Sequence, residues 1–305
     1  MLKKTISKLT LLDLDQVSQI CDKSNNLYSF FTKSKPNGGL RIIYHPSKEL
    51  KLVQIVLNDF IIKKLPTHDA SKAYKKGCST KNNALVHSHN KYFLRMDFKS
   101  FFESITSKDI YDFIDREMPT LINGWNKDDS ISFTKLVCRR KKLVMGSVTS
   151  PALSNAICFE LDTLIQNYCT KVNVHFSRYA DDLYFSTNKK NLLKHVENEV
   201  IKIVENLKCP SNLKINTSKT FHSSHKRRVI ITGLVITNQG NVSVGRKKKR
   251  EIRSKIYNWE NLNDDEKVHL SGYLSYVEHI DPMFINSLCM KYGSNIIRDI
   301  IQTKL

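Results

Sequence analysis

Apolar residues recur along this chain at two spacings. Leu50, Val53, Leu57, Phe60 and Ile61 stand at helical spacing with one apolar face, and the run stops before Pro66. Leu193, Val196, Val200, Ile203 and Leu207 repeat the pattern and stop at Pro210. Leu153, Ile157, Leu161, Leu164 and Tyr168 predict one helix opened by Ser150-Pro151, an ordinary helix start. Leu9, Leu12, Leu14, Val17 and Ile20 give a looser helical signal near the N-terminus, and a helix over 109–118 is expected to break at Pro119, before a polar surface loop over 123–130. The strand-like runs are short. They are Leu40-Arg41-Ile42-Ile43-Tyr44, Tyr92-Phe93-Leu94-Arg95-Met96, the alternating Val172, Val174 and Phe176, Leu183-Tyr184-Phe185, and 229–236 read as one strand. Lys33-Ser34-Lys35-Pro36-Asn37-Gly38-Gly39 is a basic turn, and Gly240-Asn241 turns into Val242-Ser243-Val244. A helix over 245–256 keeps Ile252 and Ile256 inside, with two further helices around 270–277 and 284–292. Strand, helix, hairpin, helix, strand is the order of a split βαβ unit on an antiparallel sheet, and the class is α+β.

Charge narrows the partners. At 305 residues the chain can bury a sizeable core, as one large domain or two to three small ones. Lys plus Arg number 49 against 29 Asp plus Glu, a net +20 that favours a polyanion, either nucleic acid or an anionic membrane surface. No apolar run is long enough to span a bilayer, and Met1-Leu2-Lys3-Lys4 is not followed by a signal-type apolar core. A cytoplasmic location without a membrane partner is expected, which leaves nucleic acid. Cys21, Cys78, Cys138, Cys158, Cys169, Cys209 and Cys289 are scattered without a CxxC, and read as reduced, mostly buried thiols.

Candidate chemistry centres on Phe176-Ser177-Arg178-Tyr179-Ala180-Asp181-Asp182-Leu183-Tyr184-Phe185. Two adjacent carboxylates at a hairpin tip repel each other unless a cation sits between them. A turn-forming role explains one Asp. It explains two poorly where the flanks are apolar and neither Gly nor Asn is present. Asp97, ending an upstream strand, is by itself an ordinary turn former, but it supplies a third carboxylate. Three carboxylates on adjacent strands can hold two Mg²⁺ ions about 4 Å apart, activating an attacking hydroxyl and steadying a leaving phosphate.

Tyr179-Ala180-Asp181-Asp182, Asp97 with Phe101-Phe102, Asn83-Ala84-Leu85-Val86-His87 and Ile231-Thr232-Gly233 together resemble the ordered motifs of the reverse transcriptases, and among them the retron enzymes of bacteria. The first corresponds to the polymerase box, and the other three, in that order, to a metal-binding motif, the NAxxH element, and a VTG element with Ile for the first Val. The resemblance implies a right-hand polymerase: N-terminal helix and fingers over 1–92, palm over 93–238 with a fingers insertion at about 119–150, and a basic helical thumb over 239–305. No ribonuclease H, endonuclease or maturase domain is expected. It implies catalysis and metal binding by Asp97, Asp181 and Asp182. It places Arg41, Phe98, Phe102, Gly146, Ser150 and Lys219 near the nucleotide, with Arg41 and Lys219 at the triphosphate and Phe102 excluding a ribose 2′-hydroxyl. Met145 and Val148 stand where many members have Gln and Pro, so that Gln's hydrogen bond is unavailable. For RNA binding it points to Asn83, His87, Thr232, Gly233, Arg246, Lys248, Lys249 and Arg253, although a histidine such as His87, taken alone, is more often structural than catalytic. The implied partners are dNTPs, a cognate non-coding RNA that primes from a 2′-hydroxyl, its branched DNA product, and a co-encoded effector in antiphage defence. The alternatives are a group II intron-like reverse transcriptase, opposed by NAxxH and Ile231-Thr232-Gly233, and an inactive RNA-binding scaffold, opposed by three clustered carboxylates.

Overall fold

The computed structural model describes residues 1–35 and 38–303; Pro36 and Asn37, in the basic turn expected from the sequence, lie outside the described residues. Helices α1 (Leu2–Thr10) and α2 (Leu14–Lys23) open the chain as two pieces, because Leu11 turns left-handed at φ 60° and Asp13 caps α2 in a box with Gln16. Strands β1 (Tyr28–Ser34) and β2 (Leu40–Pro46) pair antiparallel with Lys33 opposite Arg41. Ser47 then caps α3 (Lys48–Phe60), which buries Leu50, Val53 and Leu57 as its spacing predicts. Next come α4 (Thr80–Leu85), β3 (Tyr92–Asp97), α5 (Phe101–Ser104), α6 (Ser107–Leu121) and α7 (Lys127–Val137). They are followed by α8 (Ser150–Ile157), α9 (Phe159–Val172), β4 (His175–Tyr179), β5 (Asp182–Thr187) and α10 (Leu192–Glu205). Short strands β6 (Phe221–Ser224), β7 (Val229–Ile231), β8 (Leu234–Ile236) and β9 (Val242–Ser243) precede the helical end of the chain. That end comprises α11 (Arg246–Tyr257), α12 (Asp264–Ile280), α13 (Pro282–Tyr292) and α14 (Ser294–Gln302). The sheets are β1-β2, β4-β5-β3-β6 and β7-β8-β9, in those spatial orders.

Five local expectations are corrected. Helix α6 runs through Pro119, whose missing N–H leaves only one helical bond unmade, and closes where Ile122 N–H meets Met118 O at 2.8 Å. The polar stretch read as a loop is largely a helix start: Asn126 and Asp129 form a capping box, and the buried Asp129 carboxylate also accepts from the Met1 and Leu2 nitrogens. The helix over 153–168 is two, broken at Cys158. The break moves the buried face to Leu161, Ile165 and Cys169 and leaves Leu164 42% exposed, while Val172 belongs to α9 rather than to a strand. The strand over 229–236 is a hairpin. Ile231 faces Leu234, and Thr232 (φ 47°) and Gly233 (φ 81°) make the two-residue turn with both φ positive that right-twisted strands prefer. Finally, α14 adds a third helix after α11 where two were expected.

The chain forms two compact units: Met1–Cys78, Leu94–Phe185 and Asn191–Phe221 in the first, and Ser79–Phe93, Ser186–Lys190 and His222–Leu305 in the second. The first is centred on Leu50, Leu57, Ile110, Phe133, Leu136 and Leu161, all fully buried. The second packs Ile252 and Ile256 of α11, Leu274 and Val277 of α12, Leu288 of α13 and Ile297 of α14. All seven cysteines are free, and burial pushes the Cys138, Cys158, Cys169 and Cys209 thiols up to about 12, which makes them packing residues. Among the described residues no helix is long and apolar enough to cross a membrane.

Candidate active site

The three sequence-predicted carboxylates lie at adjoining strand ends in the first unit. Side chains alternate along β3, so Arg95 and Asp97, two residues apart, share one face. Strand β5, next to β3, begins at Asp182, and the turn from β4 consists of Ala180 and Asp181 alone. Ala180 takes φ 58°, a left-handed conformation that costs a side-chain-bearing residue about 1–2 kcal/mol. The turn is tied to the end of β3 by Phe98 N–H, which donates to Asp181 O at 3.1 Å.

Each carboxylate has its own surroundings. Lys219 Nζ lies 2.9 and 3.1 Å from the two oxygens of Asp97, which is otherwise buried, and Asn216 N–H donates to the Asp97 carbonyl at 2.7 Å. Arg95 grips Asp182 with both prongs, Nε and Nη2 at 3.0 and 2.8 Å from Oδ1, while Tyr184 Oη donates to Oδ2 at 3.1 Å. Burial, then the Asp182 carboxylate, and further Asp97, push the Asp181 pKa up; its own backbone N–H and Lys219 pull the other way. Three hard oxygen donors that repel one another, two of them already faced by protein cations, have the chemistry of a divalent-cation site. Among the described residues no three His, Cys, Asp or Glu side chains are gathered closely enough to hold a metal ion, and Lys219 and Arg95 stand against two of the three carboxylates.

Arg95 was legible only as a strand residue, yet its position two before Asp97 puts it on the carboxylate face. Arg178 and Asp162 also escaped the sequence reading. They form a fully buried ion pair behind the turn, and the only sign was an arginine inside an apolar strand.

Other residues expected near the nucleotide are placed variously. Arg41 is exposed on β2, directly across from Lys33, an opposition of like charges that disfavours the hairpin by itself. Phe98, Phe101 and Phe102 are buried as a ring cluster, with centroids 5.6 Å apart for Phe98–Phe101 and 5.5 Å for Phe101–Phe102. Gly146 has a packing reason: a Cβ there would stand 2.0 Å from Tyr44 O, where the backbone crosses β2 and Tyr44 N–H bonds Met145 O at 2.9 Å. Ser150 is fully buried, and its Oγ has no hydrogen-bond partner among the described residues. The basic Arg139–Lys142 run is a tight turn with Arg140 and Lys141 at positive φ and Arg139 stacked 4.3 Å over the Tyr44 ring.

The residues expected to bind RNA lie in the second unit. Asn83 and His87 are fully buried. His87 Nδ1 sits 2.7 Å from Ser186 Oγ, which accepts from Asn90 Nδ2 at 2.9 Å, and neither Asn83 nor His87 reaches a surface. Thr232 Oγ1 donates to Thr80 O at 3.0 Å, pinning the β7–β8 turn to α4. On α11, Lys248 pairs with Glu251 at 2.7 Å and Arg253 lies 5.0 Å over the Phe284 ring. Lys249 Nζ is 2.7 Å from Asp281 Oδ2, close in distance though not aligned as a hydrogen bond. A cavity of about 690 Å³ is lined by His89, Lys91, Lys190, His225 and Lys226, with no carboxylate in its wall. A second, of about 560 Å³, shares His225 and Lys226 and adds Arg227, Arg228, Arg246 and Lys249, again without a carboxylate.

The profile of the family described as "Reverse transcriptase (RNA-dependent DNA polymerase)" matches residues 33–236. The chain is 34% identical to the retron Ec73 reverse transcriptase of Escherichia coli, over 86% of each chain. It is 31% identical to the retron Ec86 reverse transcriptase of the same organism, over 95% of this chain and 90% of that one, and 29% identical to retron Ec83 reverse transcriptase, over 90% and 89%. Reverse transcriptases use divalent metal ions. With the acidic turn in place and these relatives matched nearly end to end, the chain belongs to the reverse transcriptases, RNA-directed DNA polymerases, and within them to the retron reverse transcriptases.

Proposed function

We propose that this chain copies a cognate non-coding RNA into DNA, starting from a 2′-hydroxyl of that RNA, and so makes the branched multicopy single-stranded DNA of a retron. The primer hydroxyl oxygen bonds to the α-phosphorus of a dNTP as the bond to pyrophosphate breaks. Asp97, Asp181 and Asp182 would hold two Mg²⁺ ions, which supply charge against the attacking and leaving oxygens. Asp97 and Asp181 are the principal ligands in this reading, with Asp182 oriented by Arg95. Lys219 exchanges Asp97 for the triphosphate, Lys33 and Arg41 clasp the same phosphates, and Phe102 excludes the ribose 2′-hydroxyl. The observation that carries the reading is the Lys219 ammonium set on both Asp97 oxygens beside the raised Asp181. A cation already stands there.

Fingers, palm and thumb are assigned to 1–92, 93–238 and 239–305. RNA phosphates are assigned to the carboxylate-free cavities of the second unit, on Lys91, Lys190, Lys226, Arg227, Arg228 and Arg246. This moves the contact from the α11 cations Lys248, Lys249 and Arg253, whose charge is already engaged. A cytoplasmic role in antiphage defence with a co-encoded effector completes the proposal.

The test is co-expression with the RNA encoded upstream of the reading frame, followed by mapping of the DNA 5′ end. DNA joined to an internal 2′-oxygen of that RNA supports the reading. DNA primed from the 3′ end of any RNA supplied would mark a group II intron-like enzyme instead.

A further inference from the structure

Arg178 and Asp162 are both 0% exposed. Arg178 Nε and Nη2 donate to Asp162 Oδ1 and Oδ2, each at 2.7 Å, while Nη1 reaches Asn155 Oδ1 at 3.2 Å and the Ala180 carbonyl at 3.1 Å. The main chain of Arg178 is fixed as well: its N–H donates to Ala70 O, and its carbonyl accepts from Lys72 N–H, both at 2.8 Å. Asn155 in turn donates to Ala73 O at 2.7 Å and accepts from Ser71 Oγ at 2.8 Å. The Arg178 guanidinium thus joins α8, α9 and the turn that carries Asp181, and the Arg178 main chain and Asn155 tie in the 70–73 segment.

Stability is a poor reason for this arrangement. A buried ion pair seldom outperforms two packed apolar residues, because desolvating both charges consumes most of their attraction. The geometry supplies a better one. Ala180 lies at φ 58°, in a region that a residue with a Cβ occupies only when its surroundings insist on it. Its carbonyl is the group that Arg178 Nη1 holds, and Asp181 is the next residue. A rotation of that peptide would swing the Asp181 carboxylate.

We infer that Arg178 is a positioning residue for the polymerase reaction: anchored on Asp162, its guanidinium holds the Ala180 carbonyl and so aims Asp181. The inference rests on the reading of Asp181 as a metal ligand. Lysine cannot substitute, since a single ammonium cannot span Asp162, Asn155 and the Ala180 carbonyl as a planar fork does.

The deciding experiment removes both charges together. Arg178→Met with Asp162→Leu leaves no unpaired buried ion, so melting temperature and RNA affinity should stay near those of the parent. With its RNA bound, the double variant should lose synthesis rate on the order of 100-fold, as expected for a small misplacement of a reacting group. Mn²⁺ binding, read by electron paramagnetic resonance without dNTP, should weaken roughly tenfold, a loss of aim at the ligand set. A folded double variant with parental rate and Mn²⁺ affinity overturns the inference and makes the pair structural. Should the double variant not fold, Arg178→Lys keeps the charge against Asp162 and is expected to fold with the same two defects; parental behaviour there overturns the inference equally. Asp181→Asn is run alongside. If it retains synthesis, the reading of Asp181 itself fails; if it is inactive while both Arg178 variants are parental, only the positioning role fails.

Discussion

The two units use charge in opposite ways. In the first, the charges of the candidate site are few and individually placed: Asp97 faces Lys219, Asp182 faces Arg95, Asp162 pairs with Arg178 beneath the turn, and Asp181 is buried beside the other carboxylates. In the second, cations outnumber their partners, and those that line the two cavities have no carboxylate among the lining residues. A bond-making site depends on individual groups placed to within fractions of an ångström, so losing one is not made good by its neighbours. A polyanion-binding surface works by adding many small, salt-screened contacts, so losing one is tolerated. The first unit is therefore expected to fail abruptly on substitution and the second gradually.

The sharpest break in that comparison comes from Asp181→Asn or Asp97→Asn. Either should lower DNA synthesis on the order of 1000-fold, the several kcal/mol that metal-assisted charge stabilisation is worth, while RNA affinity changes little. Near-normal extension by either variant would remove that residue from the catalytic centre.

The second unit is tested by replacing Lys226, Arg227 and Arg228 together with Gln. Binding of the RNA should weaken by roughly 10- to 100-fold at moderate salt, and the log–log salt slope should flatten by about 2, close to one phosphate contact per residue. Gln at Lys248, Lys249 and Arg253 should have the smaller effect, because those cations already face Glu251, Asp281 and Phe284. If filter-binding titrations show the reverse order, the outer α11 face carries the RNA.

Phe102→Val refines the picture within the first unit. Ribonucleotide incorporation relative to dNTP should rise about tenfold, within the range that one lost steric contact supplies. Phe102 also packs on Phe101, so the variant should melt lower as well. An unchanged ratio in an enzyme that still extends primers assigns the 2′-hydroxyl gate elsewhere.

The smallest effect concerns pH. Burial and the neighbouring carboxylates raise the Asp181 pKa above its value in the unfolded chain. A raised acid pKa favours the fold below the unfolded value, and that advantage is lost as pH rises through the folded value. Without divalent metal, Asp181→Asn should thus melt slightly higher than the parent at neutral pH. The gain should vanish once the pH falls below the ordinary carboxylate range, and a gain that persists there would point to a cause other than charge.

Much of this was visible in the sequence. Helices α3 and α10 and the β4–β5 hairpin follow from residue spacing, because burying one face of a helix or strand needs only a local period. Errors fell where one residue type has two uses. Asn126 and Asp129 look like loop residues but cap a helix, Pro119 sits inside α6 at the cost of the one bond its nitrogen cannot make, and Thr232-Gly233 interrupts an apolar run that otherwise reads as one strand.

By itself the sequence determined that the protein handles a polyanion and that Asp97, Asp181 and Asp182 belong together, since net charge and ordered motifs are properties of composition and chain order. Only the tertiary structure decided which partner each charge takes. Asn83 and His87 turned inward, Lys248 and Lys249 were spent on acidic neighbours, and Arg95 and Arg178 joined the acidic turn from positions with no motif of their own. The reason is physical: an ion pair or buried hydrogen bond depends on distances of about 3 Å between residues far apart in the chain, and those distances exist only after the strands and helices have packed.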